Sequence, residues 1–277
     1  MAWTFGTSTS DYVRNGPGLE QIADSVCLLV AGWFYPTTLT AGRAYWSAST
    51  AATAATVGST TSEMMISFDH ATTDNIFDTS GAGIVTDKWQ FIAWLMAFDN
   101  GANDGSCRVW IGDADTPPQE ITVIHSTTKI GNITSGAIIW IGNAAAGTSA
   151  FQGDIGWVCG MSSQSSPATV PNVTDGIIYN YEVDIIYHKW VYPLWNGTPQ
   201  SNRASPASML NRINQWHFDF TCPSASFLFN TQSSAVADCR GDLNTIIGGS
   251  AAFSARNPPR ILPQDWVLRN DLHVRRR

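Results

Sequence analysis

Residues 89–98 read Trp-Gln-Phe-Ile-Ala-Trp-Leu-Met-Ala-Phe, ten residues with one polar member, and the turn residues immediately after them narrow the folds open to the chain. A run of this length suits a buried helix or a buried strand. The turn-rich Asp99-Asn-Gly-Ala-Asn-Asp-Gly105 comes at once, then Cys107-Arg-Val-Trp-Ile-Gly112, so the pattern predicts a β-hairpin. Residues 121–124, 138–142 and 151–160 continue the series, each a short apolar or alternating run bounded by turn-forming residues. Strands of an antiparallel sheet are expected. Trp89, Phe91, Ala93, Leu95 and Ala97 then share one face, and Gln90, Ile92, Trp94, Met96 and Phe98 the other. Both faces are apolar. One must line a core. The second needs cover from a loop, a helix or another subunit, because a monomer seldom leaves such a patch in water; cover from within the chain is the expectation.

The rest of the chain carries similar punctuation. Trp3-Thr-Phe5, Ser10-Asp-Tyr-Val13 and Asn15-Gly-Pro-Gly18 read together as a first strand and a turn, and residues 26–35 as a long buried strand closed by Pro36. Residues 44–47, 64–68 and 75–77 are shorter strands. Residues 48–62, nearly all Ala, Thr, Ser and Gly, bury too little surface to order themselves and are expected to form a loop. Residues 162–167 look like a linker. Ile177, Tyr181, Asp184 and Ile185 recur at three- and four-residue steps, which predicts one short helix near residues 174–187 with Thr174 as its N-cap.

In order, a strand opening at Lys88-Trp89, a hairpin to a strand carrying Trp110 and Gly112, a strand ending Trp140-Ile-Gly-Asn143, and Phe151-x-Gly153-Asp-Ile-Gly-Trp157 resemble the concanavalin A-like, laminin-G-like jelly-roll domain, of the type found in bacteriophage virion proteins. The likeness covers roughly residues 3–260. It implies an all-β, antiparallel two-sheet jelly-roll sandwich over residues 1–260, with residues 261–277 as an extended basic C-terminal tail. It also implies that the Ser10–Val13 segment pairs with the strand ending the domain. Phage-type members place a helix near residues 174–187, then a Gly197-Thr-Pro199 turn and a last aromatic strand at Gln215-Trp-His-Phe-Asp-Phe220. Thr245-Ile-Ile-Gly-Gly249 and Pro258-Pro259 match the family's closing strand and its Pro-Pro pair. The chain departs from the pattern at Ile111-Gly-Asp-Ala-Asp115, where the family often has Asp-Gly.

Composition limits the partners. Charged residues make up 13% of the 277 residues, about half the usual share, so the surface is polar without strong charge. The net charge is −7. Five arginines and two aspartates leave residues 260–277 at +3, so residues 1–259 carry −10. An acidic body with a basic tip does not form the cationic groove that nucleic acid requires, and no run approaches the ~20 apolar residues that span a bilayer. Met1-Ala-Trp-Thr-Phe-Gly6 shows no secretory signal. Of the cysteines, Cys27, Cys107 and Cys159 fall in apolar runs and are expected as buried free thiols, while Cys222 and Cys239 flank a loop that a disulfide could close.

Chemistry is sparse. Glu182-Val-Asp-Ile-Ile-Tyr-His188 approaches the Glu-x-Asp-x-x-Glu of jelly-roll glycosidases, but His188 stands near the place of the second glutamate. One carboxylate cannot act as both nucleophile and leaving-group acid. No catalytic residue is assigned. The five histidines, His70, His125, His188, His217 and His273, are scattered. Asp99, Asn100, Asn103 and Asp104 could offer oxygen ligands to a loop calcium, although Asx-rich hairpin turns are far commoner; no cofactor is assigned. Arg240-Gly-Asp242 spells an adhesion tripeptide, read as coincidence. Two functions are expected. The first is a non-enzymatic structural protein of a bacteriophage virion, a capsid decoration, head-fibre or tail-associated subunit. It would be made in the host cytoplasm, form homo-oligomers and contact other virion proteins; burial of the basic tail or the Trp94 face by other subunits would mark it. The alternative is a lectin-like module that attaches to host-surface glycans, marked by an exposed Trp or Tyr beside Asp and Asn in a concave groove, with calcium as an optional partner.

Overall fold

The computed structural model describes residues 2–6, 10–15, 27–40, 43–49, 54–59, 63–69, 75–79, 83–97, 106–125, 138–144, 149–163, 187, 191–196, 213–219, 245–248, 252–254, 256 and 259. In chain order the elements are β1 (Ala2–Phe5), β2 (Tyr12–Asn15), β3 (Cys27–Pro36), β4 (Arg43–Ser49), β5 (Ala54–Ser59), β6 (Met64–Asp69), β7 (Asn75–Thr79), β8 (Gln90–Ala97), β9 (Ser106–Asp113), β10 (Gln119–Ile121), β11 (Val123–His125), β12 (Ile138–Ile141), β13 (Gly153–Ser163), α1 (Tyr192–Trp195), β14 (Ile213–Asp219), β15 (Thr245–Gly248) and β16 (Ala252–Ser254).

These strands form two antiparallel sheets. The first runs β10-β9-β8-β3-β13-β1-β16, with β14 also paired to β13; the second runs β11-β7-β6-β5-β4-β12-β2-β15. The chain folds as a jelly-roll sandwich, as the motif order implied. The expected hairpin is β8 against β9, with Trp94 opposite Val109. The opening segment pairs with the closing one twice over, β1 with β16 and β2 with β15. The eleven-residue β13 serves two partners on one edge, β1 at residues 153–155 and β14 at residues 157–163. Its register against β3 shifts between Ile155 and Trp157, where the partner changes, as a bulge allows.

Alternation explains the core. Leu28, Val30 and Phe34 of β3 and Ile92, Trp94 and Met96 of β8 meet Trp46, Val57, Ile66, Phe77, Ile139 and Ile141 of the facing sheet, all buried. Phe34 sits at the centre, with the rings of Tyr45 and Phe151 at 5.2 and 6.1 Å. The Trp94 face is therefore the one that lines the sandwich, and it is not available to another subunit. The opposite face of the sheet, Leu29, Ala31, Trp33, Phe91, Ala93, Leu95 and Trp110, packs against Val191, Leu194 and Trp195. The expected cover thus comes from within the chain, at α1. Pro193 is tolerated so early in α1 because the first turn leaves its N–H groups unbonded, and Asn196 N closes the turn on Tyr192 O at 2.8 Å.

Two expectations need correction. Residues 48–62 are not a single loop: residues 48 and 49 end β4, and residues 54–59 form β5, paired on both sides by β4 and β6. Small side chains contribute little burial of their own, but the flanking strands satisfy the backbone, and Val57 reaches the core. Residues 121–124 are not one strand either. The chain crosses at Thr122 from β10 in one sheet to β11 in the other. Ile121 and Val123 consequently both pack against the core, whereas Ile124 is 55% exposed. The helix expected near residues 174–187 lies outside the described residues apart from Tyr187, and α1 was not anticipated.

Candidate functional site

Among the described residues, few tryptophans are open to a ligand. Of the eight tryptophans whose side chains are described, Trp3, Trp33, Trp46, Trp94, Trp110 and Trp195 are exposed by 6% or less, and only Trp89 and Trp140 are half-buried. Each of these two meets a tyrosine whose ring is also approached by an arginine, on opposite sheets.

The Trp89 cluster is built at one end of the first sheet, where several loops converge. Tyr35, near the end of β3, meets Trp89 edge-on at 5.6 Å and 63°. The loop before Trp89 is folded back by Gln90, whose side chain accepts from Val85 N at 2.9 Å and donates to Gly83 O. Asp87 N donates to Pro36 O at 2.8 Å, and Thr37 N to Gln152 O at 2.8 Å. Asp87 has φ of 58°, the one non-glycine residue with positive φ among the described residues. Aspartate tolerates that region better than most side chains. Lys88 pairs with Asp113 at 2.6 Å. Burial pulls the Asp113 carboxyl upward, but Lys88 and the N–H groups of Asp115 and Thr116 outweigh it and hold the group below its ordinary value. Trp195 Nε1 donates to the Asp113 carbonyl at 2.7 Å, tying the cover segment to the same turn.

A buried carboxylate anchors the cluster. Asp154 lies opposite both Thr4 and Tyr35 in register and is fully buried. It accepts from Thr4 Oγ1 at 2.5 Å and from Arg256 Nη1 at 2.8 Å. Arg256 lies over the Tyr35 ring, 4.7 Å from its centroid, with its side chain 52% exposed. Asp154 raises the guanidinium above its ordinary pKa, with smaller contributions from Tyr35 and Asp87. The result is a half-open aromatic edge carrying fixed donors and acceptors, the composition that small-molecule sites favour.

The Trp140 cluster is more closed. Arg14 lies 5.1 Å from the Trp140 ring and 5.9 Å from the Tyr12 ring. Arg14 Nε and Trp140 Nε1 are buried without an acceptor, and Ser47, opposite Trp140 in register, is fully buried. A ligand could not reach those two nitrogens without displacing protein atoms. The nearby buried pair of Asp11 and Asn143 is structural. Asp11 accepts from Gly6 N at 2.9 Å, and Asn143 donates to Asp11 O at 2.9 Å and accepts from Ala144 N and Ser149 N at 2.8 and 3.0 Å.

Most residues singled out from sequence lie outside the described residues: Glu182, Asp184 and His188, the Asx loop at Asp99, Asn100, Asn103 and Asp104, the Cys222 and Cys239 pair, Arg240-Gly-Asp242, and the tail at residues 261–277. Cys107 is a buried free thiol, as expected. Among the described residues, no group of three or more His, Cys, Asp or Glu could hold a metal ion, and no helix is long and apolar enough to cross a membrane. Tyr35, Asp87 and Arg256 were missed. The one sequence signal toward them was Asp154 within the Phe151-x-Gly-Asp-Ile motif.

No family model matches the chain, and no curated protein matches it. Solved structures do. A native heptameric SAP-like pentraxin from Limulus polyphemus is 11% identical over 57% of this chain and 74% of its own, with a TM-score of 0.40. Mouse laminin α1 domains LG4-5 are 14% identical over 57% of this chain and 40% of theirs, at 0.42. A proposed carbohydrate-binding protein from Bacteroides ovatus is 9% identical over 94% of this chain and 61% of its own, at 0.49. Each is a likeness of fold alone.

Proposed function

We propose that this chain is a non-enzymatic, lectin-like module that binds carbohydrate at the rim formed by Trp89, Tyr35 and Arg256. The observation that carries the reading is that Trp89 is half-open against Tyr35, whose ring also carries the exposed Arg256 guanidinium, with the exposed Asp87 two residues before it, while six of the eight described tryptophans are buried. A sugar offers an apolar ring face to an aromatic side chain and hydroxyls to groups that both donate and accept. Catalysis is not part of the proposal, since Glu182 has no second glutamate at the spacing a glycosidase pair needs.

A glycan-array screen of the full chain, followed by titration calorimetry on the best ligand, tests the reading. Trp89→Ala is expected to weaken binding at least about tenfold because the ring supplies the stacking surface, while the circular dichroism spectrum is unchanged because the half-buried ring packs on the outside of the Trp33–Trp195 cluster and not in the sandwich core. Undiminished binding by this variant would refute the assignment of the rim.

The second reading places the module in a bacteriophage virion as a capsid decoration, head-fibre or tail-associated subunit, with other virion proteins and further copies of itself as partners. It is supported by the order of motifs through residues 172–259 and by the low charge of the surface. Cryo-electron microscopy of a particle carrying the protein is its test, and a chain that stays monomeric and joins no particle counts against it.

A further inference from the structure

We propose that the Trp89 rim selects uncharged pyranose rings over sugar acids, an inference that rests on the reading of the rim as a glycan site. Two cations stand at the rim, and both are already paired. Arg256 is bonded to Asp154 and Lys88 to Asp113. Asp154 is fully buried, so a ligand carboxylate that drew Arg256 away would strand a charge in the protein interior, an expensive exchange. Asp87 adds a third carboxylate, exposed two residues before Trp89 and held at the end of β3 by its N–H bond to Pro36 O. Among the described residues the rim therefore carries one more negative charge than positive, within a chain whose net charge is −7. An acidic sugar would meet repulsion and find no unpaired cation among the described residues of this rim. A neutral ring is matched on both sides: its hydroxyls accept from the guanidinium N–H groups that Asp154 leaves over, and donate to the Asp87 carboxylate.

The test is calorimetry of the full chain at pH 7 with two probes, a tetrasaccharide of neutral hexose and one of hexuronic acid, at about 50 and 500 mM salt. In low salt the acidic probe is expected to bind at least about fivefold more weakly, the size of one like-charge contact near a wet surface, with the gap closing in high salt as screening shortens. Asp87→Asn should narrow the low-salt gap. Asparagine keeps the backbone, because it also tolerates the left-handed region that Asp87 occupies. Equal or tighter binding of the acidic probe would overturn the inference, as would a gap insensitive to both salt and Asp87→Asn. Failure of both probes and of every arrayed glycan would instead overturn the glycan reading itself, and the selectivity with it.

Discussion

Replacing Trp195 with alanine tests whether the second apolar face of the first sheet is covered from within the chain. Trp195 is 6% exposed and packs with Val191 and Leu194 onto the face made by Leu29, Trp33, Phe91, Leu95 and Trp110. An indole buries about 200 Å², and at about 25 cal/mol per Å² that is about 5 kcal/mol, an upper bound because the unfolded chain is itself partly compact. The hydrogen bond from Nε1 to the Asp113 carbonyl adds about 1 kcal/mol. Truncations of buried aromatics usually cost about 3–5 kcal/mol, so a loss of about 4 kcal/mol is expected, or about 10 °C in Tm for a chain of this size. Trp195→Phe keeps most of the area and loses the hydrogen bond, and should cost about 1–2 kcal/mol. The assay is urea unfolding followed by far-ultraviolet circular dichroism, with light scattering to detect association through the uncovered Trp33 and Phe91. A Trp195→Ala variant that loses less than about 1 kcal/mol and stays dispersed would show that α1 does not cover this face.

Gly153→Ala should be worse than any side-chain truncation at the rim. A Cβ there would lie 1.9 Å from Tyr35 O at a φ of 144°, so backbone must move; a loss of about 4 kcal/mol or more, seen as insoluble expression, is expected. Alkaline pH should also destabilise the protein. Burial raises the Cys107 thiol, outweighing its bond to the Arg108 carbonyl, and raises the Tyr45 hydroxyl, outweighing the lowering influence of the nearby Ser59 side chain. The folded state thus holds both protons after the unfolded chain releases them at about 8.5 and about 10. Stability is full below about pH 8.5 and falls above it by up to about 1.4 kcal/mol per pH unit for each group. Urea midpoints measured from pH 7 to 10.5 check this, and Cys107→Ala should flatten the first part of the decline.

The sandwich was legible because period-two alternation and turn residues act locally. The hairpin at residues 89–112, the long β3 and the strand at Gly153 follow from neighbours in sequence. Two glycines show why the motif order was informative. Gly142 has φ of 74°, and a Cβ there would lie 2.5 Å from the Phe5 ring; at Gly153 the obstacle is the Tyr35 carbonyl. Both are places where only glycine lets neighbouring segments pass so closely. β5 was illegible for the converse reason. Its own side chains give little signal, and what orders it is pairing to β4 and β6 on either side, which no window of local sequence contains.

The candidate site was hidden for a different reason. Its parts come from residues 4, 35, 87–89, 154 and 256, brought together by pairing of β1 and β3 with β13, of β16 with β1 and of β8 with β3. Each taken singly is ordinary. Arg256 reads as part of the approach to a basic tail, yet Asp154 singles it out, because a fully buried carboxylate is stable only with partners that neutralise and bond it, and Thr4 and Arg256 are those partners. The same requirement fixes the geometry of the rim. With its guanidinium held by a buried anion and laid over Tyr35 at 4.7 Å, Arg256 has little freedom left to lose on binding, so contact with a ligand at Trp89 is made by groups already in place, which lowers the entropic cost of recognition.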